Sequence, residues 1–183
     1  MKTSISHPLR IDSVQVDNHT GKIGITLCPG KQQKHAMTGS WNRDLETDIA
    51  AIKNSGYSAL VTLMEEQELN YYGVPKAHME SITKSHELDW FFLPIKDVDI
   101  PDPAFEQAWK IAGQQLISLL TNGQSIVVHC LGGLGRSGTI AARLLVELGI
   151  EPDEAIDRVR RARPGAIETR AQEHYVREKG WLS

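Results

Sequence analysis

The chain is poor in cysteine, in aromatic residues and in long apolar runs, and these shortages exclude several classes of protein. Two cysteines in 183 residues cannot supply the disulfide framework of a small secreted domain. No apolar run approaches the ~20 residues of a membrane helix, and Met1–Arg10 has no apolar core of signal-peptide length. A net charge of -3 offers no basic excess for nucleic acid or an anionic membrane. We therefore expect a cytoplasmic protein that binds neither.

The size and the order of the elements predict one α/β domain over residues 1–183. A chain of this length buries about 70% of its unfolded surface in a single core. Alternating residues over Leu9–Val16 and Lys22–Leu27 predict a hairpin. Farther along, apolar runs of strand length alternate with segments at helical spacing. This alternation predicts a mostly parallel central sheet with helices on both faces and a ligand site beyond the strand ends.

Residue spacing places the individual elements after the hairpin. The predicted strands are Ser58–Leu63, Leu88–Ile95 and Ser125–Val128. The predicted helices are one through Leu45 that ends at Gly56, a helical turn from Glu65, Lys76–His86, Phe105–Leu119, Ser137–Leu148, and one with Pro152 in its first turn.

The residues with the most chemistry are His129–Gly138, which read HCLGGLGRSG between a predicted buried strand and a predicted helix. A glycine-rich loop in that position aims its backbone N–H groups and the positive end of the helix at one point. Glycines also remove the Cβ atoms that would keep a bulky dianion away from the backbone. The sequence therefore predicts a phosphate-binding loop made of Leu131, Gly132, Gly133, Leu134, Gly135 and Arg136.

Four side chains of this loop have predicted roles. Cys130, at a helix N-terminus beside a cation, is expected to be a thiolate and a nucleophile. Arg136 presents a planar fork that matches two phosphoryl oxygens, as a lysine would not. Ser137 is placed to donate a hydrogen bond to the sulfur. His129 is expected to orient the loop rather than to react.

Two other phosphate-loop motifs fit less well. Gly133–Gly138 satisfies G-x-G-x-x-G, but a dinucleotide site needs a following strand that ends in an acidic residue, and Glu151–Ile156 starts a helix instead. A G-x-x-x-x-G-K-[ST] loop is excluded, because Cys130 and Arg136 stand at its first glycine and its lysine.

These residues resemble the signature loop of cysteine-dependent protein tyrosine and dual-specificity phosphatases, and the resemblance extends over about residues 20–178. The segment Arg160–Val176 is similar to the region downstream of that loop, in which a glutamine positions the hydrolytic water, and Gln172 matches it. The segment Pro94–Asp102, PIKDVDIPD, resembles the general-acid loop of the kinase-associated phosphatase branch. Asp97 stands in the acid's place. The run Cys28–Gly30 also suits that branch.

The resemblance implies hydrolysis of a phosphorylated protein or another phosphomonoester through a phosphocysteine intermediate, with no metal or other cofactor. A kinase partner is implied by the resemblance alone. The alternatives are a phosphoprotein-binding pseudophosphatase, a phosphatase of non-protein substrates and a sulfur-transfer enzyme. The residues alone leave two candidates for the general acid, Asp97 and Asp99, since only the resemblance selects Asp97.

Three further features have interpretations of their own. Cys28 is expected to be a small core residue rather than a redox partner. The stretch Pro29–Ser40 has no clear periodicity and is expected near the mouth of the pocket. Four arginines downstream either add local positive potential or form a solvated helix face, the interpretation that we favour: Arg158, Arg160, Arg161 and Arg163.

Overall fold

The structure, a computed structural model, describes residues 1–179. Its strands are β1 (Asp12–Val14), β2 (Ile23–Thr26), β3 (Gln32–Gln33), β4 (Trp41–Asn42), β5 (Tyr57–Thr62), β6 (Asp89–Phe92) and β7 (Ser125–His129). Its helices are α1 (Leu45–Asn54), α2 (Glu66–Tyr71), α3 (Lys76–Ser85), α4 (Pro103–Thr121), α5 (Gly135–Glu147), α6 (Pro152–Ala162) and α7 (Arg170–Lys179).

Five strands form the central sheet in the order β1-β2-β7-β5-β6. The first pair is antiparallel, with Asp12 opposite Ile25, and the other pairs are parallel. The predicted hairpin and the mostly parallel sheet are thus confirmed. Strand β7 lies in the middle, and its last residue, His129, is in register with Thr26 on one side and Thr62 on the other. The segment that follows His129 therefore emerges between two neighbouring strand ends.

Both faces of the sheet are covered by helices, as predicted. Because side chains alternate along a strand, Ile126 and Val128 enter one core, and Val127 enters the other. Helices α4 to α7 contribute to the first core and α1 to α3 to the second. Helix α5 is buried at nearly every position, so the loop that precedes it is attached to an element packed on all sides.

Helix α4 begins with a cap that also ends the predicted acid loop. The Asp102 carboxylate accepts a hydrogen bond from the Phe105 N–H at 2.8 Å, and Pro103 occupies the first helical position. Both residues favour a helix start. The loop is therefore held firmly at its C-terminal end.

Two segments differ from their predicted form. The strand expected over Leu88–Ile95 is shorter, but Leu93 and Ile95 continue along β5 by donating to the carbonyls of Thr62 and Leu63. The stretch Pro29–Ser40 contains β3, which pairs with β4 in a small antiparallel ribbon. Two-residue strands are too short to leave a periodic signal. No helix within residues 1–179 is long and apolar enough to cross a membrane.

Candidate active site

Cys130 is the first residue after β7, and it lies at the bottom of a cavity of about 220 Å³. The residue is 4% exposed, and its Sγ lies 3.4 Å from the hydroxyl oxygen of Ser137, which is fully buried. Helix α5 begins at Gly135 without a side-chain cap. Within the described chain, the N–H groups of residues 131–137 have no protein acceptor. The cavity is lined by Asp97, Val98, Cys130, Leu131, Gly132, Leu134, Arg136 and Glu168.

The glycines of the loop do not all serve the purpose that the sequence predicts. At Gly132 a Cβ would meet nothing within 4 Å. Gly133 has a φ of +72°, and a Cβ there would lie 2.5 Å from the backbone carbon of Thr26. A Cβ on Gly135 would collide with the carboxylate of Glu168. The glycines at 133 and 135 thus allow the loop to pack against β2 and Glu168.

Arg136 is 2% exposed and is held by three groups. Its Nη1 and Nη2 donate to the two carboxylate oxygens of Glu68 at 2.7 and 3.0 Å, and Nη1 also donates to the Ile95 carbonyl at 3.0 Å. Asp97 Oδ1 lies 2.9 Å from Nη2. Burial alone would lower the pKa of Arg136, but the hydrogen bonds and charge of Glu68 help to raise it above its usual value. The guanidinium is therefore a fixed cation.

Glu68 is a site residue that the sequence analysis missed. It lies on α2, where only a helical turn was predicted, and it is 68 positions from its partner Arg136. Its carboxylate also accepts the Glu65 N–H at 3.0 Å, which completes a capping box at the start of α2. The capping-box spacing was the available local signal, but it indicates a helix start and not a contact with a distant arginine.

Of the three acidic residues in the predicted acid loop, only Asp97 lines the cavity. Its side chain is 59% exposed, and the next residue, Val98, has a φ of +63°. The carboxylates of Asp97 and Asp99 each accept the N–H of the following residue, at 3.0 and 2.8 Å, but only that of Asp97 also reaches Arg136. Asp102 caps α4. The structure thus separates three carboxylates that the sequence could distinguish only by resemblance.

Gln172 is buried beside the cavity without lining it. Its side-chain oxygen accepts the N–H groups of Glu168 and Thr169 at 2.9 and 3.1 Å, and its nitrogen donates to the Asp99 carbonyl at 3.3 Å. The glutamine thereby connects the turn before α7 to the acid loop. The second N–H of its amide nitrogen has no acceptor among residues 1–179.

Glu168 lines the cavity and is the second site residue that the sequence analysis missed. Its side chain is exposed, and its carboxylate has no hydrogen bond or ion pair among residues 1–179. The cavity therefore contains two carboxylates, of which only Asp97 is paired with the arginine.

His129 is fully buried beneath the loop and is linked to two neighbouring strands. The Trp90 indole N–H donates to the Thr62 hydroxyl oxygen at 2.9 Å, and that hydroxyl lies 2.8 Å from His129 Nε2. The hydroxyl hydrogen is then free to point at Nε2, which leaves Nδ1 to donate to the Cys130 carbonyl at 3.4 Å. Burial lowers the pKa of His129 to about 3, so the ring is neutral near pH 7.

Of two smaller interpretations, that of Cys28 is confirmed. Cys28 is fully buried, and burial raises the pKa of its thiol far above the usual range, as in an inert core residue. The stretch Pro29–Ser40 contacts the loop through the Lys31 ammonium, which donates to the Leu131 carbonyl at 3.4 Å, but none of its residues lines the cavity as predicted.

A family model matches residues 33–176 of the chain; it is described as the DSP-PTPase phosphatase domain of the Swiss Army Knife proteins. Cyclin-dependent kinase inhibitor 3 of Rattus norvegicus is 32% identical over 159 residues, which cover 85% of this chain and 70% of that protein. Protein tyrosine phosphatase type IVA 3 of Bos taurus is 30% identical over 135 residues, or 70% of this chain and 68% of the relative.

Two solved structures share the fold and part of the sequence. Kinase associated phosphatase, with its catalytic-site cysteine replaced by serine, superposes with a TM-score of 0.79 at 28% identity and covers 93% of each chain. The active form of Tk-PTP superposes with a TM-score of 0.68 at 25% identity, over 94% of this chain and 98% of the other.

Proposed function

The chain belongs to the superfamily of dual-specificity and tyrosine phosphatase domains, as its loop residues predict, and on this premise we propose that it is a cysteine-dependent phosphomonoester hydrolase. The proposal covers the whole chain as one phosphatase domain. It depends above all on one observation: Cys130, Arg136 and a series of unpaired backbone N–H groups line or adjoin one cavity that also contains Asp97.

In the first step, the Cys130 sulfur attacks phosphorus while the bond from phosphorus to the leaving oxygen breaks. The loop N–H groups and Arg136 hold the equatorial oxygens as negative charge spreads over them. Asp97 gives its proton to the departing oxygen. The products are a phosphocysteine and the free alcohol or phenol of the substrate.

In the second step, water attacks the phosphocysteine and the bond from sulfur to phosphorus breaks. Asp97 takes a proton from the water, and Gln172 orients that water with the second N–H of its amide nitrogen. Ser137, 3.4 Å from the sulfur, stabilises the departing thiolate. Phosphate leaves, and Cys130 is ready for another substrate.

The ion pair between Asp97 and Arg136 has a defined place in this cycle. Both groups are needed by the substrate: the arginine binds phosphoryl oxygens, and the aspartate must become a proton donor. A dianion that enters the cavity competes with Asp97 for Nη2 of Arg136. Binding therefore releases the carboxylate from the arginine, so that it can turn to the leaving oxygen.

The substrate that we propose is a phosphoprotein. Two relatives are named cyclin-dependent kinase inhibitor 3 and kinase associated phosphatase, and their names support a kinase as substrate or partner. A thiolate nucleophile suits a reducing compartment such as the cytoplasm. The pseudophosphatase alternative is disfavoured, because thiol, arginine, acid and glutamine are all present.

The decisive experiment is Cys130→Ser, with para-nitrophenyl phosphate as the substrate. We expect hydrolysis to be abolished, since a hydroxyl replaces the nucleophile, while the folded variant still binds tungstate through the loop N–H groups and Arg136. Cys28→Ser is the matched control and should retain turnover. Turnover near the wild-type rate in Cys130→Ser would refute the thiolate mechanism.

A substrate panel separates the remaining alternatives. Phosphotyrosine and phosphothreonine peptides, a phosphoinositide and a sugar phosphate should be assayed with the wild-type protein. The proposal requires the highest kcat/KM with a phosphopeptide. A preference for the phosphoinositide or the sugar phosphate would keep the mechanism and replace the substrate class, and binding without turnover would favour the pseudophosphatase.

A further inference from the structure

The carbonyl groups of residues 130–134 all accept hydrogen bonds from groups that do not line the cavity. Their donors are His129 Nδ1 to residue 130, the Cys28 N–H and Lys31 Nζ to residue 131, Arg163 to residues 132 and 133, and the N–H groups of Gly138 and Ile167 to residue 134. A loop whose carbonyls are bonded on one side has its N–H groups on the other.

This follows from the geometry of the peptide unit. In a trans peptide, the carbonyl of one residue and the N–H of the next point in opposite directions. Because the carbonyls of Gly132 and Gly133 bond to Arg163, the N–H groups of Gly133 and Leu134 point away from that guanidinium, on the side of the loop where Gly132 and Leu134 line the cavity. Those N–H groups are among the donors that have no protein acceptor within residues 1–179. The hydrogen bonds that the loop carbonyls accept thus set the direction in which the loop N–H groups point.

Arg163 is the side chain that orients two of these peptide units at once. Its Nε donates to the Gly133 carbonyl at 2.9 Å and its Nη2 to the Gly132 carbonyl at 3.2 Å. Its Nη1 donates to the Asp12 carboxylate of β1 at 2.8 Å. The Arg163 side chain is 13% exposed, whereas that of Arg161, two residues earlier, is 68% exposed and pairs with Glu154. The solvated face predicted for this basic cluster therefore does not include Arg163.

We propose that Arg163 is a positioning residue for oxyanion binding, one that acts through the peptide units of Gly132 and Gly133 and is itself positioned by Asp12. The role of these units in catalysis rests on the proposed function, but their role in binding an anion does not. The guanidinium also adds positive charge behind the loop. Lys31, which is 4% exposed and bonds to the Leu131 carbonyl, supports the preceding peptide unit in the same way.

The test is tungstate affinity in Cys130→Ser protein, in which no turnover complicates binding. Arg163→Met removes all three donors, and Arg161→Met is the matched control on the exposed face. Loss of one oxyanion donor costs about 10²–10³-fold in kcat, and misorientation of a donor should cost less. We expect Arg163→Met to weaken tungstate binding about tenfold and Arg161→Met to leave it unchanged. Arg163→Lys should be intermediate, because an ammonium keeps the charge but not the fork.

Kinetics of variants that retain Cys130, and can therefore turn over substrate, distinguish a positioning role of Arg163 from a general loss of structure. Arg163 does not contact the leaving group, so Arg163→Met should lower kcat/KM equally for aryl and alkyl phosphates. Equal tungstate affinity in Arg163→Met and Arg161→Met would overturn the inference. Should Arg163→Met fail to fold, Arg163→Lys and Asp12→Asn must each weaken binding relative to Arg161→Met, or the inference is wrong.

The two proposals fail in different ways. If wild-type protein hydrolyses no phosphomonoester while tungstate binding still depends on Arg163, the proposed function is wrong and the role of Arg163 stands. If hydrolysis is robust and tungstate affinity does not respond to Arg163, the function stands and the inference is wrong.

Discussion

The phosphate loop and the acid loop meet at Arg136, but they are held in different ways. Residues 130–134 have every carbonyl bonded, lie at the end of the central strand and lead into a buried helix. The acid loop is exposed at Asp97 and Val98 and contacts the arginine through the Asp97 carboxylate and the Ile95 carbonyl. The loop that binds the anion is thus prepared by the fold. The ends of the acid loop are also fixed, but the Asp97 side chain that supplies the proton is held by an ion pair that a substrate can replace.

The largest effect that would test this comparison is the leaving-group dependence of Asp97→Asn. An aryl phosphate with a good leaving group needs little protonation, whereas phosphoserine needs it strongly. We expect a loss of about 10²–10⁴-fold for poor leaving groups, as for removal of a general acid, and a much smaller loss for para-nitrophenyl phosphate. The rates are measured as kcat across a series of leaving groups.

Two other carboxylates provide the controls for that experiment. Asp99→Asn removes a side chain that bonds within its own loop, and Glu168→Gln alters the unpaired carboxylate of the cavity. Both variants should keep the wild-type dependence on the leaving group. If either one shows the loss in place of Asp97→Asn, the acid has been assigned to the wrong carboxylate.

A smaller effect on activity is expected when the carboxylate that orients Arg136 is changed. Glu68→Gln removes the charge and one of the two bonds that orient the Arg136 guanidinium. A displacement of about 1 Å at such a group can cost about 10²-fold, and we expect kcat/KM to fall by up to that amount. The decrease should be the same for good and poor leaving groups, in contrast to Asp97→Asn.

The matched control is Glu66→Gln, which lies on the same helix with its side chain 61% exposed and only a distant lysine partner. It should behave as the wild type. Equal losses in both variants would mean that α2 matters as a whole and that Glu68 has no specific role. If Glu68→Gln lowers kcat/KM only for poor leaving groups, Glu68 takes part in protonating the leaving group.

The parts of the molecule that were predictable from the sequence are those in which the signal is local. A β-branched strand, a glycine-rich turn and a helical apolar pattern stand next to each other around Cys130, so the fold and the loop could be inferred together. Glu68, Glu168 and Arg163 could not be found in this way. Each contacts the loop from at least 30 positions away in the sequence, and none lies in a sequence pattern that indicates its partner.

The acid loop lies between these cases. Asp97, Asp99 and Asp102 alternate with other residues in one short segment, and periodicity does not decide which carboxylate faces the cavity. A positive φ at Val98 and the cap at Asp102 turn the three side chains in different directions. Such backbone choices depend on Arg136 and Gln172, which contact the loop from elsewhere in the fold.

The last prediction concerns stability and not rate, and it tests whether the base of the phosphate loop is as fixed as the comparison requires. Burial lowers the pKa of His129 from 6.5 to about 3. Between these values the unfolded chain binds a proton that the folded chain does not, so stability decreases as the pH falls. The contribution of the neutral His129 ring to the free energy of unfolding is present in full above about pH 6.5. Below that pH it is lost at up to about 1.4 kcal/mol per pH unit.

Urea unfolding between pH 7 and pH 4 measures this dependence. His129→Asn should be less stable than wild type at pH 7, because it leaves the Thr62 and Cys130 contacts incomplete. The difference should shrink on acidification, since the variant has no imidazole to protonate when it unfolds. The exposed His174→Gln is the control for loss of a histidine. If the difference in stability between wild type and His129→Asn stays constant from pH 7 to pH 4, His129 accepts a proton inside the folded protein. The residues beneath the loop would then accommodate a charge, and they would be less fixed than the comparison requires.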